Sequence, residues 1–265
     1  MDTIIKITSL MNLFYRELGE KGNTPLVILH GLFGQCDNWM TLGKKFAEKF
    51  HVFMVDQRNH GQSPQSDEFS YQILAQDLKD FIDQHELNKP VLLGHSMGGK
   101  TVMQFAANFP DVASRMVVVD IAPRHYPVHH QTILEGLNAM PIDSLKSRGE
   151  ADKILAEYIP DFGERSFLLK NIFRKKEGGF GWRMNLPVLT AKIEEVGKAL
   201  DSKYLIEVPT LFIGGTDSNY IQSFDMSEID EKFATVQIEM IADAGHWVHA
   251  QKPQELLDTV LNFIL

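Results

Sequence analysis

One cysteine, Cys36, stands among the 265 residues, so no disulfide can close within the chain. A reducing compartment suits it, and the cytoplasm is the expected setting. Positive charge is scarce as well. Lys and Arg number 26 against 35 Asp and Glu, a formal net charge of −9. Phosphate backbones require a concentrated positive field, so nucleic acid is excluded as the main partner. The one basic run, Arg174 to Lys176, is followed at once by Glu177 and two glycines, and is expected to be a solvated helix end. No apolar stretch approaches the roughly 18 residues that span a bilayer. Met1 to Leu10 mixes Asp2, Lys6 and Thr8 with apolar residues and holds no signal-peptide core. Internal repeats and low-complexity tracts are missing too.

What is present is an ordinary globular composition: 44% of residues are apolar and 23% charged, enough to bury one large α/β core. Strand-like segments recur at Met11 to Leu18, Leu26 to Leu29, Val52 to Val55, Val91 to Leu93, Met116 to Val119, Thr210 to Ile213 and Val236 to Ile241. Helical spacing of apolar residues falls between them, at Asn38 to Lys49, in a helix capped by Ser70 that runs through Ile82, at Met97 to Asn108 and at Pro253 to Ile264. This alternation predicts a mostly parallel sheet covered on both faces by helices. From about Arg124 to Glu207 the rhythm breaks. More than eighty residues without a core strand are too many for a simple crossover. Residues 124–207 are therefore expected as an inserted helical lid, on a core made of residues 1–123 and 208–265.

The most informative segment runs from Val91 to Gly99. It places Gly94-His95-Ser96-Met97-Gly98, a G-x-S-x-G pattern, directly after an apolar strand and directly before a helix. A sharp strand-to-helix turn lifts a serine hydroxyl clear of the sheet, which is what a nucleophile needs. The helix N-terminus beneath it favours developing negative charge. Ser96 is thus the candidate nucleophile. Acyl transfer also requires two backbone donors for the oxyanion. The N–H of Met97, next after the serine, and the N–H of Leu32, in the His30-Gly31-Leu32-Phe33-Gly34 loop after an earlier strand, are the candidates. The base must be a histidine. His246 follows Gly245 in a loop beyond the last strand, and is the candidate; His249, three residues on, is expected to line the site.

The motifs HGLFG at His30 to Gly34, DQRNHGQS at Asp56 to Ser63, GHSMGG at Gly94 to Gly99 and GHWVHAQKP at Gly245 to Pro253 resemble the α/β-hydrolase superfamily. They are most similar to the bacterial YbfF-type esterases, over about Met11 to Leu265, with residues 1–10 outside the pattern. The resemblance implies an α/β-hydrolase fold and hydrolysis of carboxylic esters of short to medium acyl chains through an acyl-enzyme, without a cofactor. The partner it implies is a small-molecule acyl ester or acyl thioester. An acyl-CoA thioesterase would use the same residues. A cofactor-free haloperoxidase, a C–C bond hydrolase and a non-catalytic binding protein are further alternatives on this scaffold.

The histidine needs a carboxylate to orient it, and two aspartates qualify by position. Asp217 sits in Gly214-Gly215-Thr216-Asp217, the commoner acid site of the superfamily. Asp120 ends the strand Met116 to Val119. The Val117 to Pro123 stretch resembles the acid-bearing segment of YbfF-type esterases, which favours Asp120, while an asparagine is what that resemblance would place at 217. Both stay open here.

Other polar clusters carry plainer readings. Asp56 to Ser63 is expected to brace the turns behind the nucleophile, and His95 to pack beside it. His129 and His130 lack the further ligands a metal site wants and are expected to be solvated; no metal is expected. Cys36 has no activating partner. Phe33, Phe180, Trp182 and Trp247 are the candidate substrate-lining side chains, although such residues more often build cores.

Overall fold

The computed structural model describes residues 10–265; most of the stretch read as outside the family pattern lies outside these residues. The sheet begins with β1 (Tyr15–Leu18) and β2 (Pro25–Leu29), followed by helix α1 (Met40–Phe46) and β3 (His51–Val55). Next come α2 (Tyr71–Gln84), β4 (Val91–His95), α3 (Met97–Asn108) and β5 (Arg115–Val119). The order across the main sheet is β1-β3-β2-β4-β5, continued by β8 (Thr210–Gly215) and β9 (Val236–Ile241). Only β1 runs antiparallel; Leu93 faces Val117 across β4 and β5, and Val118 faces Phe212 across β5 and β8.

Burial explains the composition of these strands. β4 and β8 are covered on both faces and buried throughout, which is why they read as continuous apolar runs. β9, on the edge, is only partly buried. On one face, Leu78 and Phe81 of α2 and Val102 and Phe105 of α3 pack on Val27, Leu92 and Phe212. On the other, Phe46 of α1 and Leu256 and Val260 of the closing helix cover Ile28, Leu93 and Val117. Ser70 caps α2, its hydroxyl accepting from the Ile73 N–H at 3.3 Å.

The connection between β5 and β8 carries α4 (Gln131–Ala139), α5 (Arg148–Ala156), α6 (Phe162–Leu168), the hairpin β6 (Ile172–Arg174) and β7 (Phe180–Trp182), α7 (Leu186–Ala191) and α8 (Ile193–Gly197). Its Leu134, Leu137, Leu155, Leu168 and Leu189 form a third apolar cluster that takes in Leu32, Phe33 and Met97 from the strand-end loops. The insert therefore packs directly over the carboxyl ends of β2 and β4. Those two strands flank the point where the connections diverge, since β3 lies on one side of β2 and β4 on the other. Open α/β sheets bind ligands at such a switch point.

After β8 come α9 (Met226–Lys232), α10 (Val248–Gln251) and α11 (Pro253–Ile264). Three local expectations need correction. Arg174 to Lys176 is no helix end: Arg174 closes β6 and Lys175 enters the hairpin turn. The helix expected over Asn38 to Lys49 is a short 3-10 turn at Cys36–Trp39 followed by α1, because Gln35 and Asn38 cap each other's backbone at the turn. The first strand is confined to Tyr15–Leu18 and is an exposed edge.

Candidate active site

Ser96 joins β4 to α3 with φ 52° and ψ −116°, a conformation that costs a non-glycine residue on the order of 1–3 kcal/mol. Neighbouring bonds hold it there. Its N–H donates to the Val119 carbonyl at 2.9 Å, and its carbonyl accepts from the Lys100 N–H at 3.0 Å. The bend closes so tightly that a Cβ on Gly94 would collide with the Gly98 carbonyl, and one on Gly98 with the Leu29 carbonyl. Phe33 (φ 58°) and Asp120 (φ 52°) also hold left-handed backbone at the strand ends.

Three side chains meet at Ser96. His246 Nε2 lies 3.0 Å from the Ser96 Oγ, and His246 Nδ1 lies 2.7 Å from Asp120 Oδ2. A carboxylate only accepts, so the imidazole proton rests on Nδ1 and the Nε2 lone pair faces the hydroxyl. Asp120 is wholly buried. Its Oδ1 accepts from the Gly215 N–H at 3.1 Å and its Oδ2 from the Ser218 hydroxyl at 2.5 Å. Asp217 is exposed and its carboxylate points to the Thr216 hydroxyl at 3.5 Å. Asp120 reaches His246; Asp217 does not.

The loop after β2 approaches from the other side. A Cβ on Gly31 would stand 3.2 Å from the Ser96 Cβ. His30 Nε2 accepts from the Gln57 N–H at 3.0 Å, so its Nδ1 carries the proton and donates to the Gly31 carbonyl at 2.8 Å. Burial lowers the pKa of His30 to about 4. The Gln57 amide donates to the His30 carbonyl and accepts from the Thr101 hydroxyl, tying this loop to α3. Met97 opens α3, so its N–H has no intrahelical acceptor. Leu32 and Met97 both border the space over Ser96.

The Asp56 to Ser63 loop is internally bonded. Asp56 accepts from the Cys36 and Gln62 N–H groups, and Arg58 grips Asp77 at 2.5 and 2.7 Å. His95 is buried, and burial together with His249 and His246 holds it neutral. Its Nε2 donates to the His246 carbonyl at 2.8 Å, so it is more than filler: it braces the loop that carries His246. His249 stacks on Trp39 with centroids 4.6 Å apart and borders the cavity. Burial raises the Cys36 thiol pKa, which keeps the sulfur protonated.

A cavity of about 240 Å³ opens above Ser96. Phe33 and Trp247 line it. Phe180 and Trp182 do not; Phe180 is buried in the apolar cluster of the insert and Trp182 packs against it. Ile133, Phe167 and Leu168 take their place. Helical spacing marks these three as apolar-face residues, but spacing does not say what an apolar face meets. His129 is exposed, as expected, and His130 is half-buried; both border the cavity as well. Burial lowers the pKa of His130 to about 3. Tyr220 carries no sequence signal at all. Its ring stacks on His246 with centroids 3.9 Å apart, and its hydroxyl lies 2.5 Å from His129 Nε2. His129 Nδ1 faces the Pro127 carbonyl, so the tyrosine donates.

Among the described residues, no three His, Cys, Asp or Glu side chains are grouped to hold a metal ion. Among them, too, no helix is long and apolar enough to cross a membrane.

The chain is similar to known proteins in sequence and fold. The family described as alpha/beta hydrolase fold matches residues 24–253. The sn-1-specific diacylglycerol lipase ABHD11 of Mus musculus is 39% identical over 93% of this chain and 82% of its own length. Esterase YbfF of Escherichia coli is 34% identical, over 92% of this chain and 94% of its own. Among solved structures, a marine microorganism esterase superposes with a TM-score of 0.94 at 38% identity, covering 96% of this chain and 100% of its own. The chain belongs to the α/β hydrolase fold family.

Proposed function

We propose that this protein is a serine carboxylic-ester hydrolase in which Ser96 is the nucleophile, His246 the general base and Asp120 the acid that orients it. The observation that carries this reading is the unbroken line Ser96 Oγ, His246 Nε2, His246 Nδ1, Asp120 Oδ2, with links of 3.0 and 2.7 Å. The names of the esterase and lipase relatives support it.

Each group then has one task. Ser96 Oγ attacks the ester carbonyl carbon as His246 takes its proton. The carbonyl oxygen becomes an oxyanion held by the Leu32 and Met97 N–H groups. His246 returns the proton to the leaving alcohol oxygen as the ester C–O bond breaks, leaving acyl-Ser96. Water, losing a proton to His246, attacks that acyl carbon, and Ser96 departs with the proton as the carboxylic acid is released. Asp120 keeps Nδ1 protonated and stabilises the transient imidazolium. No cofactor enters any step. Residues 124–207 serve as the lid over the acyl site, packed on Leu32, Phe33 and Met97. A cytoplasmic setting suits a chain whose one cysteine is buried and free.

A fluorophosphonate should label wild-type protein at Ser96, located by peptide mass. Ser96→Ala should lose the label and at least about 10⁴-fold in kcat/KM on simple esters. Retained hydrolysis in that variant would overturn the assignment.

A further inference from the structure

Ser96 stands between two unequal spaces. The larger, about 240 Å³, is faced by His246 and bounded by Ile133, Phe167 and Trp247. The smaller, about 20 Å³, is faced by Met97 but not by His246, and lies among Tyr71, Ile121, Ile193 and Val196. Leu32 borders both. The stacked Tyr220 ring covers one face of the imidazole and borders the smaller space as well.

The chemistry of the proposed reaction sorts the two halves of an ester between these spaces. The carbonyl oxygen turns to the Leu32 and Met97 N–H groups. The leaving oxygen must come to His246 Nε2, because that nitrogen delivers its proton. The alcohol therefore extends into the space that His246 faces, and the acyl chain takes the direction that remains. We propose that the enzyme selects esters with a very short acyl group, acetyl foremost, on a larger apolar alcohol. Tyr71, Ile193 and Val196 form the wall that excludes longer acyl chains. This inference rests on the assignment of Ser96 and His246 made above.

The small compartment has room for about one water-sized group, which is the methyl of an acetyl ester. Its wall is braced. The Tyr71 hydroxyl donates to the Val196 carbonyl at 2.7 Å, locking α8 to α2. The Tyr126 N–H donates to the Gly197 carbonyl at 2.7 Å. Buried Lys100, on the helix that starts at Ser96, donates to the Pro123 and Lys198 carbonyls at 2.9 and 3.0 Å, and to that of Arg124. Both ends of the insert are thus pinned to α3, and the acyl side has little freedom to widen. Helices α4 and α6, which wall the larger space, are fastened at neither end by Lys100.

Hexyl acetate and ethyl hexanoate test the inference, since they are isomers that differ only in which side of the carbonyl is long. Wild-type kcat/KM should be at least about tenfold higher for hexyl acetate, given that a single unaccommodated methylene is worth roughly that factor. Val196→Ala should raise the rate on ethyl hexanoate and narrow the ratio. Equal rates, or a preference for ethyl hexanoate, would overturn the acyl-side assignment while leaving Ser96 as nucleophile. Hydrolysis of neither ester, with Ser96 unlabelled by fluorophosphonate, would overturn both.

Discussion

The carboxyl ends of β5 and β8 present the same feature in opposite surroundings. Each strand runs apolar to its end and is followed by an aspartate. Asp120 is wholly buried, holds a left-handed backbone and receives bonds from a histidine, a serine and a backbone N–H. Asp217, two residues past its strand, is exposed and makes one long contact to a threonine. The difference comes from the loops above them. The β8 loop folds Gly215 and Ser218 inward onto Asp120, so one strand end supplies the donors and the other the acceptor. A carboxylate held by several donors is fixed in place, as the proposed orienting role requires. An aspartate in the right motif position without them is a surface residue.

The sharpest way to break this contrast is a pair of isosteric substitutions. Asp120→Asn should lower kcat by about 10⁴-fold, because an amide can no longer hold the proton on Nδ1. Asp217→Asn should change kcat by less than about twofold. Steady-state rates on one acetyl ester decide it, and a large loss at Asp217 with none at Asp120 would reverse the assignment.

Sequence reached part of this contrast and stopped for a physical reason. The strand, turn and helix around Ser96 are legible because local chemistry dictates them: an apolar run, glycines where backbones touch, and a helix start. The preference for Asp120 over Asp217 comes from the family resemblance of the Val117 to Pro123 stretch. The physical choice depends on which loop folds over which, through partners nearly a hundred residues apart, and residue spacing does not encode that. The same limit applies to the lining residues. Phe180 and Trp182 stand out in composition but satisfy the insert's own core. Tyr220 is found only by its stacking on His246.

Solvent access separates the histidines too, which predicts how stability follows pH. Burial lowers His30 to about 4 and His60 and His249 to about 3, and holds His95 well below its ordinary range. Unfolded, each would titrate near 6.5. Above that value neither state takes up a proton and stability is full. As pH falls from 6.5 toward 4, the unfolded chain binds protons that the folded one refuses. Each such histidine then removes up to about 1.4 kcal/mol per pH unit. The urea midpoint should therefore drop between pH 7 and pH 5, and a flat midpoint would mean these rings are not held neutral.

A smaller effect sharpens the contrast at Asp120 itself. Ser218→Ala removes the hydroxyl that donates to Oδ2 beside His246. The Gly215 N–H and His246 still hold the carboxylate, so the loss should be about tenfold in kcat. KM should barely move, because Ser218 borders neither space over Ser96. A rise in KM with kcat unchanged would give Ser218 a binding role instead.

The smallest expected effect lies at the other strand end. Asp217→Ala removes a side chain whose one hydrogen bond among the described residues is the 3.5 Å approach to Thr216. What orders this loop is backbone: the Asp217 N–H donates to the Ala244 carbonyl at 2.9 Å, and the Thr216 N–H to that of Ile241 at 2.9 Å. Alanine keeps both bonds. Unfolding free energy should therefore stay within about 0.5 kcal/mol of wild type. A loss several times larger, measured by urea unfolding, would mean that the Asp217 carboxylate helps to hold the β8 loop against Asp120. The two aspartates would then be coupled rather than opposed.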